Sequence, residues 1–505
     1  MSIERKGYCI NGEWLESKAE KYLTITDSST GEAIAEVPCC TEAEVEAAIA
    51  SADKAFKAWS NLSISKRVQY MFKWRNVLVE HEEELAVLCA KELGKNLNEA
   101  RGDVRKAIEP TELACALPYT VQGKAAMQVT TGFDTASYRF PLGVVGGIVP
   151  MNFPAMIPWG WMVPLAIACG NTVVLKASSQ TPLTAMRIME LFYKEAGFPK
   201  GVVNLVTCSR KEADLLLTDP RVKAITFVGT TGVGKQIYSV AAAHGKRVQA
   251  QCEAKNHALL LEDADLESAT SAIINSTYGC AGMRCMALPV IVAQESIADK
   301  FVALLKKKAQ ALRVGCAYKE DTQLGPVVSA SHQKKVCDWI QKGVDEGAEL
   351  VLDGRNYKVP GYENGFFVGP TILDHVKPGM TVGDCEIFGP VTCVKRVKNF
   401  EEGIAIMNAN PFANGSSIFT QSGYYAREFA MRTDGGMVGI NVGIPVPSAY
   451  FPFSGNKDSF FGDQHVLGLD GVRFYTRAKT VTTHWYDEES AKKPMDTWEG
   501  TVERD

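Results

Sequence analysis

The stretch STYGCAGMRCMALPV, residues 276–290, holds two cysteines five residues apart, with Arg284 directly before the second. Closely spaced cysteines can bind a metal ion, form half of a disulfide or supply a nucleophilic thiolate. No CxxC pair occurs, and the seven histidines do not cluster with cysteines at metal-ligand spacing, so we expect no metal site. Cys285 is a candidate nucleophile. The alternative is that Cys280 and Cys285 are both small buried hydrophobic residues.

The composition argues against the disulfide. The chain has 505 residues, of which 46% are hydrophobic and 22% are charged, so it can bury large cores and fold into two or more domains. Its fourteen cysteines are scattered, which fits reduced thiols better than a secreted disulfide scaffold. The N-terminal segment MSIERKGYCINGEW lacks an apolar run and the character of a transit peptide. We therefore expect a cytoplasmic protein.

The charge pattern indicates which partners to expect. The net charge is −4, and no long basic or acidic run occurs, so nucleic acid and anionic membranes are poor candidates. The longest apolar stretch, MIPWGWMVPLAIACG, is interrupted by proline and glycine and is too short to span a bilayer. A small-molecule partner is the better expectation.

The elements that must position the cysteines follow from periodicity. Residues 41–60 have helical spacing of apolar positions after a capping-box pattern, and a second helical run covers roughly residues 65–95. From about residue 143, short β-branched runs such as GVVGGIVP and GNTVVLKAS alternate with helical patterns, and the alternation resumes after residue 255. This pattern predicts α/β architecture with two domains, each built on a parallel sheet.

Two further segments have a different pattern. Residues 123–140 and 471–487 alternate apolar and polar residues, which is typical of exposed antiparallel strands. We expect them to form a small sheet whose edge a partner subunit covers.

A glycine-rich turn interrupts FVGTTGVGKQIY, residues 227–238, between a strand pattern and a helix pattern. Gly229 and Gly234 frame a turn that could bring backbone amides close to a phosphate group. The spacing is neither GxGxxG nor a Walker A motif, so the glycines could also serve only to permit a tight turn.

Four motifs, in this order, resemble the aldehyde dehydrogenase superfamily: the segment from GVVGGIVPMNFP to SSQTP, AITFVGTTGVG, GCAGMRCMA and EIFGPV. Within it, segments such as EARGDV, AGMRCMAL and RFYTRAKTVT most resemble the methylmalonate-semialdehyde dehydrogenases, which transfer an acyl group to coenzyme A. The resemblance implies an aldehyde-dehydrogenase-like α/β fold with two parallel-sheet domains and a small antiparallel oligomerisation sheet. The implied division is a dinucleotide-binding domain of residues 1–124 and 143–252, a catalytic domain of residues 253–450, and oligomerisation strands in residues 125–142 and 470–487. It also implies a homodimer or homotetramer.

The resemblance assigns the catalytic roles. A carbonyl carbon cannot release hydride until a nucleophile has added to it, and Cys285 occupies the position of the family's nucleophile. Asn152 matches the side-chain amide that stabilises the resulting oxyanion together with the backbone N–H of Cys285. Taken alone, Asn152 would more simply cap a turn before Pro154.

The resemblance also assigns residues to a nicotinamide cofactor, NAD or NADP. Lys176 matches the lysine that contacts the adenosine ribose, and Glu386 and Phe388 match the residues that hold the nicotinamide ribose and ring. The remaining predicted cofactor residues are Ser179, Gly229, Thr230 and Gly234. Ser179 stands where NAD-preferring members usually have a glutamate, so we expect NADP or dual use.

Arginines indicate the substrate. A semialdehyde carries a carboxylate, which a guanidinium binds through two parallel hydrogen bonds. Arg101 and Arg284 match arginines of the methylmalonate-semialdehyde group, and Phe153 is assigned to the same substrate pocket. Without the resemblance, Arg101 would be a solvated helix residue and Arg284 would form a structural ion pair.

One departure concerns the fate of the acyl group. Hydrolytic members of the superfamily use a glutamate as the base that activates water, and Gln251 stands at that position. This favours transfer to coenzyme A, giving acetyl-CoA or propionyl-CoA from malonate or methylmalonate semialdehyde with decarboxylation. Glu253 could instead act as a displaced base in a hydrolytic semialdehyde dehydrogenase that releases the free acid. A third possibility is a non-catalytic structural or binding protein.

Overall fold

The computed structural model describes residues 3–486. Its strands are β1 Tyr8–Ile10, β2 Glu13–Leu15, β3 Tyr22–Thr26, β4 Ala33–Pro38, β5 Ala125–Thr130, β6 Phe133–Pro141, β7 Val144–Ile148, β8 Thr172–Lys176, β9 Val203–Val206, β10 Val222–Val228, β11 Arg247–Gln251, β12 His257–Leu260, β13 Val290–Gln294, β14 Glu349–Leu352, β15 Thr371–Asp374, β16 Val391–Val397, β17 Phe412–Ala413, β18 Gly415–Phe419, β19 Met437–Ile440, β20 Asn456–Lys457, β21 Phe460–Gly462 and β22 Thr476–His484.

The α-helices are α1 Glu42–Ser60, α2 Ile64–Glu80, α3 Glu82–Leu93, α4 Leu97–Cys115, α5 Leu117–Thr120, α6 Val163–Ala168, α7 Leu183–Lys194, α8 Arg210–Thr218, α9 Thr231–Ala243, α10 Leu266–Tyr278, α11 Glu295–Gln310, α12 Ala330–Asp345, α13 Thr381–Asp384, α14 Phe400–Ala409, α15 Gly423–Arg432 and α16 Gly468–Phe474. A π-helical turn, Ile157–Met162, leads into α6. A short 3₁₀ turn, Gly279–Gly282, follows α10. Within residues 3–486, no helix is both long and apolar enough to cross a membrane.

The first large sheet has eight strands in the order β2-β1-β9-β8-β7-β10-β11-β21. The five strands from β9 to β11 are parallel, and β1, β2 and β21 add antiparallel edges. The β-branched runs that predicted β7 to β10 form buried central strands, as helices cover both faces of such a sheet.

The second large sheet has seven strands in the order β14-β15-β16-β13-β12-β18-β19. All neighbouring strands are parallel except β14, which pairs antiparallel with β15. The predicted α/β fold with two parallel sheets is therefore confirmed. The carboxyl ends of parallel strands gather loops at one edge of each sheet, and the candidate site lies among such loops.

Both predicted helical runs near the N-terminus are helical in the structure, and the second is divided into two helices. Thr41 and Glu44 form the predicted capping box at the start of α1. The run predicted over residues 65–95 is two helices, because the chain breaks at His81 between α2 and α3. Gly94 ends α3 in the left-handed conformation, with φ of 96°, which glycine adopts without steric cost.

The small antiparallel sheet has the order β22-β6-β5 and is separate from the two large sheets. Strands β22 and β6 pair over nine residues, from Thr476 opposite Pro141 to His484 opposite Phe133. Apolar side chains on this sheet are exposed, including Met127, Tyr138 and Val481. Strand β22 begins only at Thr476, because α16 occupies the first part of the alternating segment predicted over residues 471–487. Asp487, the last residue of that segment, lies outside the described residues.

Candidate active site

A cleft of about 610 Å³ contains Cys285 and draws its walls from loops of both large sheets. Eight of the predicted site residues line it: Asn152, Lys176, Ser179, Gly229, Thr230, Cys285, Glu386 and Phe388. The remaining four, Gly234, Phe153, Arg101 and Arg284, do not line this cleft. The structure therefore gathers residues that are up to 236 positions apart, from Asn152 to Phe388, around one thiol.

The backbone of Cys285 is fixed from the side of the second sheet. Its carbonyl oxygen accepts hydrogen bonds from Asn256 Nδ2 at 2.8 Å and from Asn414 Nδ2 at 3.2 Å. Asn256 is in turn held by Gly415 N, which donates to its Oδ1 at 2.8 Å. Two amides that donate to one carbonyl hold the backbone of Cys285 in a defined position, since few rotations of the loop keep both bonds.

The turn before Cys285 requires a glycine. Gly282 has φ of 74°, and a Cβ at this position would lie 2.0 Å from Gly389 O. Cys280 and Ala281 also adopt left-handed conformations, with φ of 50° and 52°. Such backbone is costly for residues with a side chain, and it persists only where the surrounding structure enforces it. This close approach joins the GCAGMRC and EIFGP motifs.

Asn152 is buried, and its Nδ2 donates to Met283 O at 3.1 Å. This bond fixes the orientation of the amide, so that the nitrogen faces the loop that carries Cys285. An amide nitrogen has two hydrogens, and one of them remains for a further acceptor. The position suits a donor to an oxyanion that forms beside the Cys285 sulfur.

The environment of the thiol favours its neutral form. Burial raises the pKa of Cys285 to about 12, and the carboxyl group of Glu386 adds to the rise. The positive charges of Lys95 and Arg284 act in the opposite direction. In the protein without ligands, the thiol is therefore protonated at neutral pH, and any reaction as a nucleophile requires removal of its proton.

Glu386 and Phe388 also line the cleft. Glu386 accepts a hydrogen bond from Ala254 N at 3.1 Å, and burial raises the pKa of its carboxyl group to about 8. Phe388 has φ of 61°, and its carbonyl oxygen lies 2.7 Å from His332 Nε2, which donates to it. The strained backbone and this hydrogen bond set the direction of the Phe388 ring.

Lys176 is the last residue of β8 and lines the cleft. Its Nζ lies 3.5 Å from Ser179 Oγ, and burial lowers the pKa of the ammonium group. Ser179 stands three residues after Lys176, so no carboxylate occupies that position, as the sequence indicated. A donor of this kind suits the hydroxyls or a phosphate of a ribose.

Gly229 lies in the turn between β10 and α9, Gly234 lies in the first turn of α9, and both serve packing. A Cβ on Gly229 would lie 2.5 Å from the Phe227 ring, and a Cβ on Gly234 would lie 2.3 Å from Cys252 Sγ. Neither glycine has a positive φ. Gly229 lines the cleft, whereas Gly234 lets α9 approach β11. Thr230 is the N-cap residue of α9, and its side chain makes no capping hydrogen bond.

Gln251 and Glu253 have different environments, although they are two residues apart. Gln251 is buried outside the cleft, where its Nε2 donates to Phe453 O at 3.4 Å. Among the described residues, no donor reaches Gln251 Oε1. Glu253 follows the end of β11 and lines the cleft. In a continuous strand, residues two apart point to the same face, but β11 ends at Gln251.

The two predicted substrate arginines are engaged in ion pairs. Arg101 binds Glu83 and Glu320, with its closest contacts at 2.7 Å to each. Arg284 lies 3.0 Å from Glu99, and its Nε donates to Cys280 Sγ at 3.1 Å. These contacts satisfy both guanidinium groups, so a carboxylate-binding role for either stays a prediction.

Two features of the site were missed in the sequence. Lys95 is fully buried, lies 3.0 Å from Asp103 Oδ2, and places its Nζ 3.3 Å from the centre of the Phe153 ring. His332 and Lys335, on α12, complete the cleft wall beside Phe388. The spacing of His332 and Lys335 puts them on one helix face, but nothing in the local sequence indicates what that face meets.

The arrangement of donors and acceptors suits a dinucleotide. The cleft offers an ammonium group at Lys176, the amide end of α9, and a carboxyl group at Glu386. These groups match a ribose, a diphosphate and a second ribose in turn. Residues 14–481 match the sequence model of the aldehyde dehydrogenase family. The chain belongs to the aldehyde dehydrogenase family.

Several relatives indicate which members of the family this aldehyde dehydrogenase resembles. It is 47% identical over 476 residues to malonate-semialdehyde dehydrogenase 1 of Geobacillus thermodenitrificans, which covers 94% of this chain and 98% of the relative. A methylmalonate-semialdehyde dehydrogenase structure from Oceanimonas doudoroffii has a TM-score of 0.94 and 41% identity, covering 97% of this chain and 100% of that one. A structure from Sinorhizobium meliloti, described as a methylmalonate-semialdehyde dehydrogenase complexed with NAD, has a TM-score of 0.94 and 38% identity. The match covers 96% of this chain and 99% of that one.

Proposed function

We propose that the protein catalyses the NAD(P)-dependent, CoA-acylating oxidation of malonate or methylmalonate semialdehyde. The observation that carries this proposal is the position of Cys285 in the cleft beside the Asn152 amide, with Gln251 in place of the carboxylate base. The similarity to malonate- and methylmalonate-semialdehyde dehydrogenases supports the choice of substrate.

The chain's own residues supply the first step. The sulfur of Cys285, once deprotonated, forms a bond to the aldehyde carbon, and the carbonyl oxygen becomes an oxyanion. The free N–H of Asn152 and the backbone N–H of Cys285 donate to that oxyanion, which is stabilised most where the charge develops. Lys95 and Arg284 favour the thiolate, since their charges oppose the rise in the pKa of Cys285.

The cofactor residues would hold a nicotinamide dinucleotide across the cleft. Lys176 and Ser179 would bind the adenosine ribose, Gly229 and Thr230 would lie along the diphosphate, and Glu386 and Phe388 would hold the nicotinamide ribose and ring. A dinucleotide held by these residues would supply the acceptor for the hydride of the tetrahedral adduct. Gly234 contributes by letting α9 pack against β11. Ser179 is uncharged, whereas the glutamate that NAD-preferring members usually have at this position would repel a 2′-phosphate. This difference supports use of NADP as well as NAD.

The acyl group then remains on Cys285 as a thioester. The thiol of coenzyme A needs less activation than water, so an amide at Gln251 is compatible with acyl transfer and poorly suited to hydrolysis. Attack by the coenzyme A thiol forms the new thioester and breaks the bond to Cys285, which leaves as the thiolate and takes up the thiol proton. Loss of carbon dioxide from the 3-carboxylate, with uptake of a proton at the carbon that carried it, gives acetyl-CoA or propionyl-CoA. The resemblance alone supports Arg101, Arg284 and Phe153 as substrate contacts, because they do not line the cleft, and either arginine would have to give up a glutamate partner to bind the substrate carboxylate.

Cofactor reduction with and without coenzyme A tests the proposal. Malonate semialdehyde and either NAD or NADP should give a burst of reduced cofactor, up to one equivalent per active site, followed by a near stall as acyl-enzyme accumulates. Addition of coenzyme A should restore turnover. No reduction with any aldehyde would contradict the proposal and favour a non-catalytic protein.

A hydrolytic semialdehyde dehydrogenase is the second candidate, because Glu253 places a carboxylate in the same cleft as Cys285. Steady turnover without coenzyme A, with the free acid as product, would favour this function. The two candidates share Cys285 and Asn152 and differ only in the acceptor of the acyl group.

We also propose that the enzyme is a homodimer or a homotetramer. The sheet β22-β6-β5 presents exposed apolar side chains and two unpaired strand edges, which a second subunit would cover.

A further inference from the structure

The carboxylate of Glu253 binds the amino end of α9. Thr231 N, the first amide of that helix, donates to Glu253 Oε2 at 2.8 Å. The contact is reciprocal, since Glu253 N donates to Thr231 Oγ1 at 3.3 Å. Thr230 holds the N-cap position without a side-chain capping bond, so Glu253 performs the capping function from the loop that follows β11.

The backbone of Glu253 is held independently of its side chain. Ser459 Oγ donates to Glu253 O at 2.7 Å, and Cys252 N donates to Ser459 O at 2.8 Å. The carboxylate can therefore leave Thr231 by side-chain rotation, while the strand end stays in place. The half-buried side chain faces the cleft volume, which leaves room for that rotation.

The amino end of a helix attracts anions, because its first amides have no partner within the helix and the helix dipole is positive there. In the proposed function, this same end of α9 lies along the diphosphate of the dinucleotide. The carboxylate and the diphosphate therefore compete for one set of donors. Both are negative, so they also repel one another if they share the cleft.

We propose that Glu253 is a specificity-determining residue of the cofactor cleft, whose carboxylate occupies the diphosphate position and must leave when a dinucleotide binds. This inference rests on the proposed cofactor role of the cleft. Dinucleotide binding is therefore weaker than it would otherwise be, because the contact between Glu253 and Thr231 is lost when the dinucleotide binds. Ligands without phosphate are not affected.

The Glu253→Gln variant isolates the charge. A glutamine has the same shape and can still accept the Thr231 N–H, but a neutral acceptor is held more weakly at a helix amino end. Isothermal titration calorimetry should show NAD and ADP binding about 3- to 10-fold more tightly to this variant than to the wild type. Adenosine, which lacks a phosphate, should bind equally to both.

Two matched variants control the measurement. Glu253→Asp keeps the charge, so the affinity for ADP should stay within about twofold of the wild type. Glu262→Gln removes a carboxylate that accepts from Ser296 outside the cleft, and it should change none of the three affinities. Glu253→Gly, which removes both the charge and the side chain, should also tighten ADP binding, and melting curves report whether each variant is folded.

The outcomes separate the inference from the function on which it rests. Unchanged or weaker ADP binding to folded Glu253→Gln and Glu253→Gly would overturn the role of Glu253, while NAD binding and cofactor reduction by the wild type would leave the proposed function intact. Equal tightening of adenosine binding would also overturn it, because the effect would not depend on phosphate. Absence of NAD, NADP and ADP binding in every variant would reject both.

Discussion

Asn152 Nδ2 donates to the backbone carbonyl of Met283 at 3.1 Å, and this bond ties the predicted oxyanion donor to the loop that carries Cys285. The two groups come from different sheets, so their relative position depends on the packing of the whole cleft. The bond also defines which atom of the amide faces the loop that carries Cys285. A side chain that is held in this way needs no reorganisation when charge develops on the substrate oxygen.

Asn152→Ala and Asn152→Asp should lower kcat by about 10²- to 10³-fold, because one oxyanion donor is lost. The aspartate should be the more damaging replacement, since a carboxylate repels the oxyanion and cannot donate to Met283 O. Binding of the dinucleotide, measured by calorimetry, should be unchanged in the alanine variant. Equal kcat in wild type and both variants would assign Asn152 to turn capping alone.

Cys285→Ala should abolish dehydrogenase and esterase activity and leave cofactor binding intact, because only the nucleophile is lost. Cys280→Ala should retain activity and lose about 1 kcal/mol of the free energy of unfolding, since it removes the acceptor of the Arg284 hydrogen bond. Activity assays and urea unfolding of both variants check this. An inactive Cys280 variant beside an active Cys285 variant would show that the nucleophile is misassigned.

Hydrophobic periodicity predicted several strands of the two large sheets, the small antiparallel sheet and the first helices, and the order of the motifs predicted eight residues of the cleft. The contacts between motifs could not be predicted. Gly282 was visible only as one of several small residues, and its need for a glycine depends on Gly389 O, more than a hundred positions away. Lys95 has no local signal of burial in the sequence, and the structure buries it against Asp103.

The different orientations of Gln251 and Glu253 illustrate the same limit. Extended backbone predicts that residues two apart share a face, but β11 ends between them and the chain turns. A strand boundary is one of the least certain features of a sequence, and here it decides which side chain enters the cleft.

Dinucleotide binding should strengthen as pH rises from 7 to 9. Burial raises the pKa of Glu386 to about 8, so below that pH the carboxyl group is protonated and accepts ribose hydroxyls poorly. If only the ionised form binds both hydroxyls, the affinity for NAD should rise about tenfold over this range. Calorimetry at several pH values measures it. Glu386→Gln should bind NAD weakly and with a flat pH profile; a sloping profile in this variant would assign the titration to another group.

Assembly should depend on the small antiparallel sheet. Met127→Glu combined with Val481→Asp places charges among its exposed apolar side chains, where a partner subunit would bury them at a high desolvation cost. Light scattering coupled to size-exclusion chromatography should show a smaller species than the wild type. Tyr424→Asp, on exposed α15, is the control and should assemble normally. A wild-type protein that is already monomeric and fully active would contradict the proposal.

The last prediction concerns Gln251. Replacement by glutamate buries a carboxyl group that has no donor at the Oε1 position and loses the bond to Phe453 O, so its pKa should rise towards neutrality. A base with that pKa can activate water, and general-base catalysis contributes roughly 10²- to 10⁴-fold when the geometry is right. Because Gln251 does not line the cleft, we expect a smaller rise of about tenfold in the rate without coenzyme A, measured as cofactor reduction after the burst. If the wild type instead turns over steadily without coenzyme A and Glu253→Gln stops this turnover, Glu253 is the base and the enzyme is a hydrolytic dehydrogenase.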